Sequence, residues 1–380
     1  MSDHRDRIQD LLDQAADLEP GPAKVALLEE AVALADASHD DEMGFRSRDA
    51  LVDATSWGGL FPEKMLTAFS WMLALFDEKP DARYIQPWNL LWIYKWIGGR
   101  ITDFPEVSRE QVEGLFADMD RRYREHGFNL RPVWKLRCQA ALDMESVEDA
   151  RRLRQQWVSA PQDYMNDCRA CELNSHVSYF LDTGEWDEAL RVAEPLLNRK
   201  ESCRSVPHST YGNVLIPLLR QGDAQRAMDC HRRGYPMIQR NSSFVATASK
   251  HMTFCALTDN RARALRLFER HLPLALTSTN QDVKFTFYRN AAYTFDRLAR
   301  VRKKSAVKLR VAEDALPVPR NDQGEAELEA VRDFFLAEAR RIAKRFDARN
   351  GNTGYSAKLD HLREWDEYAV EIPYATKADD

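Results

Sequence analysis

A short turn-and-helix pattern recurs along the second half of this chain and constrains its fold more than any other feature. In each copy a turn residue stands five positions before an alanine, and the three pairs are Gly184 and Ala189, Gly222 and Ala227, and Asp259 and Ala264. The alanines are 38 and 37 residues apart. A period of this length is typical of helix pairs that stack, because one pair alone cannot bury its apolar face. The pattern therefore predicts an all-α chain.

The clearest copy, G-E-W-D-E-A-L-x-x-A-E at 184–194, resembles the centre of a tetratricopeptide repeat. Gly184 matches the turn of that repeat and Trp186 the aromatic residue that follows. Ala189 matches the small residue that lets the second helix lie close on the first. Upstream, Ala150 occupies the same alanine position, 39 residues before Ala189. The family's W-x-x-L-G start of the first helix is absent here, and the periods exceed the family's usual ~34 residues.

This resemblance covers residues 145–276 best and 20–145 weakly, and it implies a right-handed superhelical solenoid of antiparallel helix pairs. From the pattern we expect irregular helical repeats at 1–145, regular repeats at 146–301, and a linker with a C-terminal helical segment at 302–380. Members of the family bind peptides or protein segments. The resemblance therefore implies a protein- or peptide-binding scaffold or adaptor without catalytic activity.

In such a solenoid, the first helices of successive pairs line a concave surface. We expect small or polar residues of these helices to form a partner-binding groove there, and they are Asn174, Ser178, Ser209, Ser249 and Thr253. The alternative is that they are ordinary solvated helix positions.

Four residues have the types and spacing of a metal site. Cys168 and Cys171 form a C-x-x-C pair, and Cys203 stands five residues before His208. Two thiolates at C-x-x-C spacing can bind one Zn²⁺ together at about 2.3 Å. Cys168 and Cys203 are 35 residues apart, so both fall in loops before the first helix of successive pairs, and we expect one structural zinc. The alternatives are three free thiols with a histidine at a helix start, or a redox C-x-x-C, which no βαβ pattern supports.

A basic run at 297–310 contains no acidic residue and could contact phosphate groups. The candidate phosphate-contacting residues are Arg302, Lys303, Lys304 and Lys308. The alternative is a solvated helix end, with its cations at the favourable C-terminal pole. The run motivates a second hypothesis for function, a peptide-sensing regulatory receptor that contacts nucleic acid through this segment.

Charge and hydropathy limit the classes of partner. The formal net charge of −6 gives no general attraction to nucleic acid or anionic membranes, so nucleic acid is not the partner that we expect first. The N-terminal sequence lacks a signal-peptide pattern, and no apolar run approaches the ~20 residues of a spanning helix, so we expect a cytoplasmic protein. The chain lacks the motifs of zinc proteases, serine hydrolases and P-loop proteins. The identity of the partner and the oligomeric state stay open.

Helical periodicity runs through most of the chain. The exception is the alternation of Val307, Leu309 and Val311, which we interpret as a linker in preference to a short edge strand. Beyond it we expect a charged amphipathic helix at 320–347 and a last helix at 356–368.

Overall fold

The computed structural model describes residues 3–58, 60–301 and 305–374. Apart from two short strands, the regular structure in these ranges is helical. Contacts divide the chain into two compact units. Unit 1 comprises 1–166 with the short segments 241–243 and 278–280, and unit 2 comprises the remaining residues. The three-segment division at 145/146 and 301/302 is a division by sequence pattern, and it stays a prediction.

Unit 1 is built from consecutive helices that pack on their neighbours in the chain, as in α1 on α2, α2 on α3 and α7 on α8. Its helices are α1 (Asp3–Ala16), α2 (Pro22–Ala37), α3 (Asp41–Gly58), α4 (Pro62–Glu78), α5 (Pro87–Gly98), α6 (Arg109–Glu125), α7 (Arg131–Asp143) and α8 (Val147–Ser159). Helix α6 begins with a capping box, in which Ser108 and Gln111 each satisfy the other's backbone N–H. One face of α6, including Phe116 and Tyr123, is fully buried in the core of the unit.

Unit 2 contains the regular repeats and the C-terminal helices. Its helices are α9 (Arg169–Asp182), α10 (Trp186–Leu197), α11 (His208–Asn213), α12 (Leu215–Arg220), α13 (Ala224–Ile238), α14 (Val245–Leu257), α15 (Arg261–Thr277), α16 (Gln281–Val301), α17 (Leu328–Asn350) and α18 (Gly354–Asp360). Helix α9 packs on α10, and α14 packs on both α15 and α16. Contacts of each helix with the next, and of alternate helices with one another, make the fold helical-repeat-like.

The turns of the repeat pattern share one backbone geometry. A residue with positive φ lies at each turn, and these are Glu145 (59°), Gly184 (80°), Gly222 (78°) and Asp259 (58°). The next residue donates its N–H to a carbonyl five positions earlier, as from Glu185 to Phe180 at 2.8 Å. This bond closes the helix end and reverses the chain. The four alanines that follow, Ala150, Ala189, Ala227 and Ala264, are all fully buried where two helices meet.

The first helix of one repeat is interrupted. Residues 208–219, where helical periodicity is continuous, form α11 and α12 with a break at Val214. Pro217 explains the break, because it has no N–H to donate to the carbonyl four residues earlier, which belongs to Asn213.

The alternating segment near residue 307 is in part a strand, which corrects the interpretation as a linker. Strand β1 (Ala306–Val307) pairs antiparallel with β2 (Ala326–Glu327), directly before α17. Val307 and Ala326 are buried, so the pair is fixed by an apolar face as well as by its backbone bonds. The predicted last helix is shorter than expected, since α18 ends at Asp360 and only a 3₁₀ turn at Asp366–Tyr368 follows.

In the part of the chain that the structure describes, no helix combines the length and the apolarity needed to cross a membrane.

Candidate functional site

Three of the four predicted metal ligands come together in unit 2. Cys168 is the residue directly before α9, Cys171 lies in the first turn of α9, and Cys203 lies in the loop between α10 and α11. Their Sγ atoms all lie within 4.8 Å of one another, and those of Cys171 and Cys203 are 3.4 Å apart. An ion pair between Arg169 and Glu201 at 3.0 Å also joins the start of α9 to this loop.

The geometry of this thiol cluster (Cys168, Cys171 and Cys203) fits one metal ion. A separation of 3.4 Å is much longer than the ~2.05 Å of a disulfide, and the cysteines are free thiols. Two thiolates that each lie ~2.3 Å from one tetrahedral ion are about 3.8 Å apart, so a small displacement would let the cluster bind it. Cys168 is exposed, which gives an ion access from solvent. The cluster could therefore hold a metal ion, and thiolates favour soft or borderline ions.

Burial and hydrogen bonding separate the acidities of two of these thiols. Burial, together with the adjacent Cys203 and Cys168, raises the pKa of Cys171. Burial also acts to raise the pKa of Cys203, but hydrogen bonds from the backbone of Ser205 and from Cys171 outweigh it and lower that pKa. Cys203 is therefore the first of this pair to ionise, and once it is a thiolate it accepts the hydrogen bond from the Cys171 thiol.

The structure does not bring His208 into the thiol cluster. Among the described residues, the group of candidate ligand atoms within 4.8 Å contains only the three cysteines. The His208 ring instead stacks on Phe244 with the ring centroids 5.5 Å apart. Burial lowers the pKa of His208, and its Nδ1 has no hydrogen-bond partner among the described residues. Its role as the fourth ligand stays a prediction.

The five predicted groove residues differ in their surroundings. Asn174 accepts a hydrogen bond from Thr210 at 2.6 Å. Ser178 and Ser209 are half-buried. Ser249 is buried and accepts from Asn290 Nδ2 at 2.7 Å, so it lies between α14 and α16 instead of on an open groove.

The last of the five, Thr253, is fully buried and lines a pocket that the sequence reasoning did not identify. This pocket of about 190 Å³ lies in unit 2, and we call it the lysine pocket. Its polar lining includes Asn213, Lys250 and Arg289, and its apolar walls include Trp186 and Trp365. A repeat signal could have revealed the polar residues, because Asn213, Lys250 and Arg289 follow one another at 37 and 39 residues, close to the alanine period.

Lys250 is the cation of the lysine pocket that forms no ion pair among the described residues, although Asp182 and Asp282 act on it from farther away. Its Nζ donates to Asn213 Oδ1 at 2.6 Å, and no carboxylate of the described residues lies within ion-pair distance. Loss of hydration through burial lowers the pKa of Lys250. Arg289, by contrast, donates to Glu364 at 2.8 Å and to the Lys358 carbonyl at 3.0 Å. An anion that enters the pocket would therefore gain more from Lys250 than from Arg289, because it would offset the cost of burying the Lys250 charge.

Little of the predicted phosphate-contacting set can be located. Arg302, Lys303 and Lys304 lie outside the described residues, and Lys308 is exposed. Two cations at the start of the basic run are engaged within unit 2. Arg297 donates to the Ala256 carbonyl at 3.0 Å, and Arg300 forms an ion pair with Asp296 at 2.9 Å.

Comparisons with models of known protein families and with curated proteins found no match to this chain. The likeness to tetratricopeptide repeats therefore stays a resemblance in sequence pattern. The fold itself is helical-repeat-like.

Proposed function

We propose that this protein is a right-handed helical-repeat scaffold or adaptor that binds a peptide or protein segment and does not catalyse a reaction. The lysine pocket is the observation that carries the proposal. It places a desolvated ammonium group, which forms no ion pair among the described residues, beside amide groups and two tryptophans. A few convergent polar groups within apolar walls are the usual composition of a ligand site.

The ligand group that fits this pocket is a carboxylate next to an apolar side chain. The ammonium of Lys250 and the amides of Asn213 and Asn290 provide donors for carboxylate oxygens. A volume of about 190 Å³ is smaller than the ~300 Å³ at which drug-sized sites begin. The pocket therefore accepts one residue, either a C-terminal residue or an acidic side chain with its neighbour, while the rest of the peptide lies outside.

The chain's own C-terminal segment packs within unit 2 next to the lysine pocket, and its contacts indicate which chemistry that neighbouring surface accepts. In unit 2, Asp366 accepts from Tyr293 at 2.9 Å and pairs with Arg300 at 2.8 Å, while the Trp365 and Tyr293 rings pack edge to face. Further along, the Val370 N–H donates to the Leu257 carbonyl at 3.1 Å. The surface beside the lysine pocket thus already binds an aromatic residue, an acid and extended backbone from this chain. This supports a peptide as the ligand.

We also propose that the thiol cluster binds one structural zinc, which fixes the start of α9 to the loop after α10. Cys168 and Cys171 on one element and Cys203 on the other would serve as ligands. Such a site would hold the two ends of the best-formed helix pair, α9 and α10, together.

Selection from a displayed library of random peptides tests the peptide-binding proposal. Wild type should enrich peptides with a carboxylate beside an apolar residue. Free C-termini and blocked C-termini should be displayed in parallel, because the comparison tells a terminal carboxylate from an Asp or Glu side chain.

Lys250→Met removes the ammonium but keeps most of the side-chain volume, so the variant should lose this enrichment. Lys344→Met is the matched control, since Lys344 is exposed on α17 and does not line the pocket. Absence of any enriched peptide, or the same peptides enriched by Lys250→Met, would overturn the proposal.

A further inference from the structure

A second pocket in unit 2 is lined by four arginines. Arg263, Arg266 and Arg270 follow one another at intervals of three and four residues, so they form one stripe along α15. Arg310, the last residue of the basic run, enters from the segment after β1, and Tyr235 at the end of α13 forms another wall. The pocket has a volume of about 550 Å³, within the range of small-molecule sites. We call it the arginine pocket.

The cations of the arginine pocket have no acidic partners. None of the four arginines has a carboxylate within 4.0 Å among the residues that the structure describes. Glu269 is the one acid in the lining, and its Oε1 accepts the backbone N–H of Arg310 at 2.8 Å. Four arginines against one glutamate leave a formal excess of three positive charges. Some other arginines of unit 2 do pair with acids, as Arg191 does with Glu188 and Arg261 with Asp259.

Two of the arginines are positioned by neutral groups, which leaves their charge available. Arg270 donates to the side-chain oxygen of Gln239 at 2.8 Å. The guanidinium of Arg263 stacks over the Tyr374 ring at 3.9 Å, and its Nε is buried without a hydrogen-bond partner among the described residues. An unsatisfied buried donor is costly, and an acceptor supplied by a ligand would remove that cost.

We infer that the arginine pocket binds an oligophosphate, that is, a chain of two or more phosphate groups. Planar guanidinium groups match phosphate oxygens in pairs, and arginine is favoured wherever such bidentate recognition is needed. One orthophosphate could engage only part of a stripe that spans about two helical turns. A pyrophosphate or triphosphate group provides the compact negative charge that balances three excess positive charges. Free oligophosphate and the phosphate chain of a nucleotide share this chemistry.

The arginine pocket favours a small molecule over a nucleic acid. It is a bounded cavity, and the chain as a whole carries a formal net charge of −6, which opposes binding along an extended polyanion. The inference does not depend on the proposed peptide function, because the two pockets share no lining residue.

Calorimetric titration of the full chain with sodium tripolyphosphate, at constant ionic strength, tests the inference. Tripolyphosphate should bind, and orthophosphate should bind at least about tenfold more weakly, because it can satisfy fewer charge-assisted hydrogen bonds. No heat of binding with tripolyphosphate, or equal affinity for orthophosphate, would overturn it.

Arg266→Ala/Arg270→Ala should weaken tripolyphosphate binding by at least about tenfold, since two charge-assisted donors are lost. Both side chains are exposed, so the fold should persist, and circular dichroism can verify this. The matched control is Arg340→Ala/Arg341→Ala, which removes two exposed arginines from α17 and should change the affinity less than about twofold. Arg310→Ala supplies an independent variant from a different segment. Equal losses in the control and the pocket variants would contradict the inference.

ATP and a 20-nucleotide DNA distinguish the sources of phosphate. Affinity for ATP equal to that for tripolyphosphate supports recognition of the phosphate chain alone, whereas tighter ATP binding supports a nucleotide. DNA that binds more tightly than both, with an affinity that increases with its length, would overturn the small-molecule inference in favour of nucleic acid.

Discussion

At the scale of single residues, burial controls the charge of three histidines in unit 2. His231 and His251 lie with their Nδ1 atoms 2.9 Å apart, and His271 Nε2 is 3.1 Å from the Tyr235 hydroxyl. Burial, with the nearby His271 and Arg263, lowers the pKa of His251 to about 3. Burial, with Arg270, lowers the pKa of His271 to about 4. The folded protein therefore keeps these rings neutral at a pH where the unfolded chain protonates them.

The stability of unit 2 should fall as the pH is lowered from about 6.5 toward 4. The unfolded state binds more protons in this window, so each histidine should reduce the free energy of unfolding by about 1.4 kcal/mol per pH unit. Urea unfolding at pH 7, 6 and 5 measures the slope. His271→Gln removes one of these titrating groups, so it should lower the slope by about 1.4 kcal/mol per pH unit. An unchanged slope in that variant would show that His271 does not contribute.

Zinc content is the second test at this scale. Protein purified without chelator should contain about one equivalent, and Cys171→Ser should lose it, while Cys230→Ala should retain it because Cys230 lies outside the cluster. The metal should be released on acidification, because the thiolates must take up protons. His208→Ala decides whether that imidazole is the fourth ligand. Less than roughly half an equivalent in the wild type would contradict a zinc site.

At the scale of helices, local sequence signals predicted most of the fold. Glycine or proline stands at many helix ends, and the turns at Gly184 and Gly222 have the positive φ that glycine favours. Another copy of the turn was missed in unit 1. His39 has a φ of 52° and stands five residues before Gly44, but neither residue is of the type found in the other copies.

The missed elements depend on partners distant in sequence. Strand β1 has two residues, and its pairing partner lies twenty residues further along the chain. The extended segment near Val370 is held by the end of α14, through the Leu257 carbonyl. The alternation at Val307 shows a possible strand but not its pairing partner, and no pattern marks the contact of Val370, so sequence reasoning could not place either interaction.

Close packing of α13 on α11 gives a test at this scale. A Cβ atom at Gly234 would lie 2.3 Å from Tyr211 Cβ, which cannot swing aside because it is bonded to the backbone. Gly234→Ala should therefore destabilise unit 2 by about 1–3 kcal/mol or more in urea unfolding.

Gly114→Ala is the matched control. A Cβ there has no neighbour within 4 Å, and Gly114 is an exposed residue within α6. The change should stabilise by about 0.5–1 kcal/mol. Equal effects of the two substitutions would show that α11 and α13 are not packed as described.

At the scale of the whole molecule, the repeat period predicted helical repeats but not how contacts divide the chain. Unit 1 includes 278–280 because Thr279 donates its N–H to the Leu60 carbonyl at 2.8 Å, and Asn280 donates to Asp103 at 2.6 Å. No local pattern connects residues more than 170 positions apart. The thiol cluster was predictable, since repeat spacing places Cys168 and Cys203 in equivalent loops.

The lysine pocket was not predicted, because helix periodicity does not reveal which cations lack acidic partners. Only the packed structure shows that Arg289 pairs with Glu364, whereas Lys250 forms no ion pair among the described residues. The central claim is that Lys250 recognises the carboxylate of a bound peptide, and this claim can be tested without knowing the biological partner.

The most direct measurement is a thermodynamic cycle with one selected peptide. Its carboxylate is left free or converted to a carboxamide, and calorimetry gives the affinity of each form for wild type and for Lys250→Met. The two changes should be coupled by about 1–3 kcal/mol, so that loss of the carboxylate weakens binding to wild type much more than to the variant. Equal weakening of both proteins would contradict recognition of the carboxylate by Lys250.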